Sequence, residues 1–377
     1  MTKLPRVALV TNVLPHYRVP CFEALAERLP GQVDFFVLAE ILTERYFVLA
    51  DAHPNLPVHV LSGKAWAHPP FDDVHLNDPR PVLRDYDLII LGGWAEPTFL
   101  LLWLLAQLRG TRVAFWIEST LYDGARDTWK ESYKRLLLRR AGGAIVMGKS
   151  SAAYCEWLGL PRSRIFIAPN AGDSAYFRKQ AASLLPRRAE LRRALGVEGV
   201  VILFVGRMVE FYKGVSTLLS AQAELEKKNL PAQLVLIGEG ADRAEYKRTS
   251  AELGLRSVRF ENFMNHAALS RYYAAADIFV LPSRSETWGL VINEAMEFGL
   301  PIVTTQVVGA AADLVHPENG FVVPPGDVAA LACALETLAR NETRRQAMGE
   351  CSRAIIAQHT PEAWAEHFAR AVETMLR

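Results

Sequence analysis

Arg207 and Lys213 stand six positions apart, and each has a glycine beside it, Gly206 and Gly214. A guanidinium binds phosphate through two parallel N–H bonds, and an ammonium acts as a point charge. At the head of a helix the dipole favours the same anion. Arg and Lys are common on any surface, so this pair by itself defines no site. Glu286 and Glu294 are eight positions apart, the first in the loop Pro282–Leu290 and the second on a helix read over Trp288–Phe298 and ended by Gly299. Carboxylates accept hydrogen bonds from polyol hydroxyls. Gly289 permits close backbone approach, and the first-turn amides of the helix face whatever lies before the sheet. Alone, Glu294 reads as an ordinary surface glutamate. Together the four residues suit sugar hydroxyls next to a diphosphate.

A second set of polar residues follows strands of the first half. His16, Tyr17 and Arg18 come after the first strand, Gly92-Gly93-Trp94 after another, and Glu118-Ser119-Thr120 after a third. They read either as helix starts with surface polar groups or as the wall of a substrate cleft, in which His16 could serve as a base. The loop after the first strand has no GxGxxG, which disfavours a nicotinamide oxidoreductase. Asp85-Tyr86-Asp87 is a formal DxD, but it precedes a strand and so falls at the wrong end of the sheet for a metal site. No metal and no cofactor are expected. Cys21, Cys155, Cys333 and Cys351 form no CxxC, and read as core residues in a reducing compartment.

The elements that must position these residues repeat one pattern. Strand-length apolar runs alternate with helix-length segments: Val7–Asn12, Val33–Ala39, Val58–Leu61, Asp87–Leu91, Val113–Glu118, Ala144–Met147 and Ile165–Ala168, then Val200–Val205, Gln233–Ile237, Val258–Phe260, Ile278–Leu281, Ile302–Thr305 and Phe321–Val323. Continuous runs imply strands buried on both faces, hence parallel sheets covered by helices. The expectation is an α/β chain with two doubly wound, Rossmann-like domains. The boundaries read as 1–172, 173–360 and a terminal helix over 361–377, with a basic helix over Ser183–Leu195. With 377 residues, 42 basic and 41 acidic, the net charge is +1. That balance argues against a nucleic-acid binder. The apolar run Phe99–Leu108 is too short to span a bilayer. The start of the chain shows no signal-peptide core, so a cytoplasmic protein is expected. The basic segment Trp129–Arg140, with its leucines expected on one helix face, suits either a surface helix or contact with anionic lipid headgroups at the inner face of the membrane.

Pro282-Ser283 through Glu286, the Glu286/Glu294 pair, Gly289-Leu290, Glu294-Ala295-Met296 and Gly299-Leu300-Pro301 resemble the signature of glycosyltransferase family 4. Gly206-Arg207 with Lys213-Gly214 is similar to the family's phosphate-binding pair. Pro169-Asn170 with Asp173 resembles its linker, and Gly238-Glu239-Gly240 its glycine turn. The resemblance implies the GT-B fold, two Rossmann-like domains facing a cleft, with the last helix returning to the first domain. It implies metal-independent, retaining transfer of a hexose from a nucleotide-diphosphate sugar to a glycan, a lipid-linked or a small-molecule acceptor, as in polysaccharide biosynthesis. Arg207 and Lys213 would neutralise the diphosphate. Glu286 would contact the donor sugar and Glu294 the ribose. Trp288, Gly289 and Leu290 would meet sugar and phosphates, Asn262 and Phe263 would flank the base, and Gly238 would complete the donor side. Trp288 stands where the family commonly has phenylalanine, which points to an altered sugar pocket. The acceptor side would take His16, Tyr17, Arg18, Trp94, Glu118 and Ser119. The alternatives are a nucleotide-sugar 2-epimerase and a non-catalytic binding protein of the same fold. The second should have lost Arg207, Lys213 or Glu286, and all three are present.

Overall fold

The computed structural model describes residues 4–42, 45–48, 56–68, 71–124, 126 and 128–377. The chain divides into two compact units. Unit 1 comprises 1–121, 125–173 and 361–377; unit 2 comprises 122–124 and 174–360.

Unit 1 holds β1 (Val7–Thr11), β2 (Val33–Val37), β3 (Ile41–Leu42), β4 (Arg45–Val48), β5 (Val58–Val60), β6 (Gly63–His68), β7 (Phe71–Asn77), β8 (Leu88–Leu91), β9 (Arg112–Ile117), β10 (Gly143–Val146) and β11 (Ile165–Ile167). Seven of them form a parallel sheet in the order β11-β10-β9-β8-β1-β2-β5. Each apolar run expected as a strand is one. Its two faces carry separate cores. One face gathers Phe99, Leu102, Trp103, Leu137 and Leu138 from the helices Pro97–Arg109 and Thr128–Arg139. The other gathers Phe22 and Leu25 from the helix Val19–Arg28 with Trp364, Phe368 and Val372 from the helix Pro361–Leu376. Trp364 lies 6.1 Å from Phe22 and 5.9 Å from Trp116, ring centre to ring centre. Burial pushes the thiols of Cys21 and Cys155 up to about 12, so neither is a nucleophile at neutral pH.

Unit 2 holds β12 (Val200–Val205), β13 (Ala232–Ile237), β14 (Val258–Glu261), β15 (Ile278–Leu281), β16 (Ile302–Thr305) and β17 (Gly320–Val323) in one parallel sheet, β14-β13-β12-β15-β16-β17. That is the order of the doubly wound dinucleotide-binding sheet.

Five expectations need correction. Cys333 is exposed and Cys351 half-buried, so only Cys21 and Cys155 are the core residues expected. The antiparallel hairpins β3–β4 and β6–β7 have no counterpart among the expected strands, because neither segment alternates cleanly between polar and apolar residues. The basic helix is two helices, Ser174–Leu184 and Arg188–Leu195, separated by a short turn at Leu185–Arg187 that includes Pro186. The leucines of Thr128–Arg139 do not share a face. Leu137 and Leu138 are buried but Leu136 is exposed, since successive residues on a helix point about 100° apart. The helix carrying Glu294 begins at Leu290, not Trp288, because Gly289 holds φ +93.

Candidate functional site

In unit 2 the sheet order reverses between β12 and β15, so the chain leaves these neighbouring strands in opposite directions. Ligands of doubly wound sheets bind in the crevice this opens at the strands' carboxyl ends. Arg207 lies two residues beyond β12 and is exposed, its guanidinium 5.8 Å from the Tyr212 ring centre. A single turn, Glu210–Lys213, brings Lys213 back across the strand end. Its ammonium meets the carboxylate of Glu286, from the loop after β15, and both side chains are largely shielded from solvent.

The two loops are stitched together by the backbone. The N–H groups of Arg284 and Ser285 donate to the Tyr212 carbonyl at 2.8 and 3.1 Å. The Arg284 guanidinium lies 3.1 Å from Glu210. On its other side the Glu286 loop is clamped by the segment after β16: Gly309 N–H donates to the Glu286 carbonyl at 3.1 Å, and Ala310 N–H to the Trp288 carbonyl at 3.0 Å. Glu286 is thus set by main-chain bonds on both flanks. Gly238, just past β13, holds φ +145, and a Cβ there would come within 2.0 Å of the Gly206 carbonyl oxygen. Its backbone supports the Gly206-Arg207 loop from below.

Glu294 accepts a hydrogen bond from the Tyr273 hydroxyl at 2.8 Å. Burial raises its carboxyl to about 7, against the lowering effect of that hydroxyl. Asn262 and Phe263 follow β14. The Asn262 amide oxygen accepts from Arg243 at 2.7 Å, and the Phe263 ring is exposed. Trp288 is buried and donates its indole N–H to Asn293 at 2.9 Å. Its side chain is packed in the interior of unit 2. Leu290 opens the helix behind it. Ser283, which stands in the Pro282-Ser283 motif, is buried and its hydroxyl has no hydrogen-bond partner among the described residues.

Unit 1 repeats the geometry with different chemistry. Its order reverses between β1 and β8. An open pocket of about 180 Å³ lies there, lined among others by Asn12, Gly92, Gly93, Trp94, Glu96, Trp116, Glu118 and Ser119. Trp94, Glu118 and Ser119 therefore come together. Arg18 does not join them as a free cation. It is 4% exposed, donates to Asn170 at 2.5 Å and to Glu118 at 2.6 Å, and stacks 4.9 Å from the Trp116 ring centre. His16 and Tyr17 lie on a single turn before the helix Val19–Arg28, edge to face at 5.8 Å. Desolvation lowers the His16 pKa while Asp173 opposes it. Glu96, absent from the expected site, stands directly before the helix beginning at Pro97, and its carboxylate accepts the His75 N–H at 2.8 Å. A glutamate directly before a proline at a helix start was the available signal. The formal DxD lies before β8, with Asp87 accepting the Arg6 N–H at 2.8 Å and Tyr86 donating to Asp34 at 2.7 Å. Among the described residues no group of three or more His, Cys, Asp or Glu side chains could hold a metal ion.

Residues 188–355 match the sequence profile of the family described as glycosyl transferases group 1. Over this segment the chain is similar to a group 1 glycosyltransferase domain. The segment contains β12 to β17 and every donor-side residue named above. Alpha-D-kanosaminyltransferase of Streptomyces kanamyceticus is 29% identical over 66% of this chain and 64% of its own length. Phosphatidyl-myo-inositol mannosyltransferase of Mycobacterium leprae is 28% identical over 92% and 94%. The chain spans under two thirds of the first of these, and less than half of several further curated relatives. HepE of Anabaena, solved with UDP and glucose, superimposes with a TM-score of 0.73 at 18% identity, covering 98% of this chain and all of HepE. Likeness at that identity speaks for the fold, which is GT-B. The sequence resemblance to a glycosyltransferase and its fold are both upheld.

Proposed function

We propose that this protein is a retaining, family 4 glycosyltransferase that moves a hexose from a nucleotide-diphosphate sugar to a hydroxyl acceptor. The observation that carries the reading is the Lys213–Glu286 contact beside exposed Arg207, at the order reversal of a group 1 glycosyltransferase domain. In the resting protein the ammonium and carboxylate neutralise one another. A donor diphosphate entering beside Arg207 draws Lys213 to itself, and the released Glu286 turns to the hydroxyls of the sugar. Both cations then stabilise the negative charge that builds on the departing nucleoside diphosphate. These cations take the part a divalent metal plays elsewhere, and no resident metal enters the proposal. Glu294 faces the ribose, and Phe263 offers an exposed ring to the base.

The acceptor belongs to glycan or glycolipid synthesis on the cytoplasmic side of a membrane. Support comes from the helix Thr128–Arg139. It exposes Trp129 and Leu136 and carries Lys130, Arg135 and Arg139, a mixture that suits the bilayer interface. Among the described residues no helix is long and apolar enough to cross a membrane.

A panel of nucleotide-sugars, each followed for release of nucleoside diphosphate without acceptor, tests the proposal. One or a few should be hydrolysed slowly. Absence of binding and hydrolysis with every donor would overturn it.

A further inference from the structure

We infer that the pocket of unit 1 receives a hydroxyl-bearing ring that carries no phosphate. This rests on the proposed transferase reading and narrows its acceptor. The pocket sits at the carboxyl ends of β1, β8 and β9, where the sheet order reverses, and its volume of about 180 Å³ suits one sugar or cyclitol ring. Trp116 and Phe99 supply apolar walls, both buried. The apolar C–H face of such a ring packs against aromatic carbon. Asn12, Ser119 and the carboxylates of Glu96 and Glu118 supply the polar contacts, and all four accept hydrogen bonds from hydroxyls.

The charge of the pocket decides the class. Among the described residues, no Lys, Arg or His lines it. The adjacent guanidinium, Arg18, is buried against Trp116 and already bonded to Glu118 and Asn170. Lys134 lies 5.2 Å from the Trp94 ring centre, but its ammonium bonds to Glu131 at 3.1 Å and to the Tyr154 hydroxyl at 2.8 Å. A phosphate in this pocket would therefore face Glu118, which already holds the Arg18 guanidinium, and Glu96, whose carboxylate lies 3.6 Å from the His75 imidazole. Like charges brought together in a partly desolvated site weaken binding strongly. A neutral ring meets no such penalty, and an amino sugar gains an ion pair.

Glucose, glucosamine and glucose 6-phosphate present one ring with three charges. Titrating each into the full-length protein, followed by chemical-shift changes of tryptophan indole N–H groups, measures the preference. Glucose and glucosamine should bind saturably, and the phosphate ester at least about tenfold more weakly. Ser119→Lys places a cation at the rim without touching the core, and should shrink or reverse that ratio. Glu96→Gln keeps an acceptor for the His75 N–H and should shrink it too. Equal or tighter binding of the phosphate ester by the unaltered protein, or no saturable binding of any ring, would overturn the inference. Donor hydrolysis without acceptor is read in parallel. If donor is hydrolysed but the phosphate ester is preferred, the inference fails and the transferase reading stands. If no donor is hydrolysed, that reading fails.

Discussion

Arg207 and Arg18 occupy matching places in two sheets of the same kind. Each follows the first strand of a parallel sheet and lies near the point where the strand order reverses. Arg207 is exposed, and among the described residues no carboxylate is held against it. Arg18 is buried between a tryptophan, a carboxylate and an amide. One topology has thus been used twice with opposite electrostatics. In unit 2 Lys213 is held by Glu286 while Arg207 stays open to an anion. In unit 1 the cation is part of the scaffold, and the carboxylates are left to line the pocket. Topology says where a ligand binds, and the local partners of each charge say which kind.

The contrast can be tested by exchanging roles. Arg207→Ala should lower kcat/KM for transfer by about 100- to 1,000-fold, the loss seen when a charge-stabilising donor is removed from a transition state. Its thermal melting should stay unchanged because the residue is exposed. Normal donor affinity in this variant would remove Arg207 from the phosphate site. Arg18→Ala should do the reverse. Equilibrium urea unfolding should show a loss of about 2–3 kcal/mol, from hydrogen bonds to a charged group and the stacking on Trp116. Donor hydrolysis should persist. If Arg18→Ala were as stable as the parent, the scaffold role would be wrong.

Trp288→Phe probes whether the tryptophan serves the core or the sugar. The loss of the indole N–H removes a buried hydrogen bond to Asn293, at about 1 kcal/mol in unfolding experiments. The choice among donor sugars should not change, and a switched donor would place the side chain in the pocket after all. Glu294→Gln should have the smallest effect, and one that depends on pH. The folded pKa of Glu294 is raised to about 7, so the folded state holds a proton that the unfolded state releases above 4.5. Its contribution therefore turns destabilising as pH rises from 4.5 to 7, and stays so above that. The glutamine variant should melt about 2–4 °C higher than the parent at pH 8 and show no gain at pH 4. Equal gains at both values would mean the carboxyl is not protonated in the fold.

Both sheets could be read from the sequence because buried parallel strands are continuous apolar runs, as Val200–Val205 and Ile278–Leu281 show. The placement of Arg207, Lys213 and Glu286 at strand ends was readable as well, because the loops that hold them are short and follow directly on β12 and β15. Unit 1 yielded less. His75 and Asn77 lie on a hairpin without regular alternation, yet the His75 N–H holds Glu96 and the Asn77 side chain bonds to the carbonyls of Leu38 and Leu61. Glu96 and Asn12 enter the pocket through such long-range contacts, which no local pattern records. Arg18 looked like a ligand for the same reason. Its partners Glu118 and Asn170 are 100 and 152 residues away, and a charge's availability depends on what the fold brings to it.

The helix Pro361–Leu376 completes one of the two cores of unit 1, where Trp364 and Phe368 cover Phe22 and Trp116. A ribosome makes Phe22 early and Trp364 only after the whole of unit 2. During synthesis that face of the sheet stands open while the donor-side domain can already close on its own residues. The order of assembly is therefore inverted with respect to the chain: the segment made first matures last. Nascent chains halted before residue 361 should keep their early strands susceptible to chaperones and proteases until the last helix arrives.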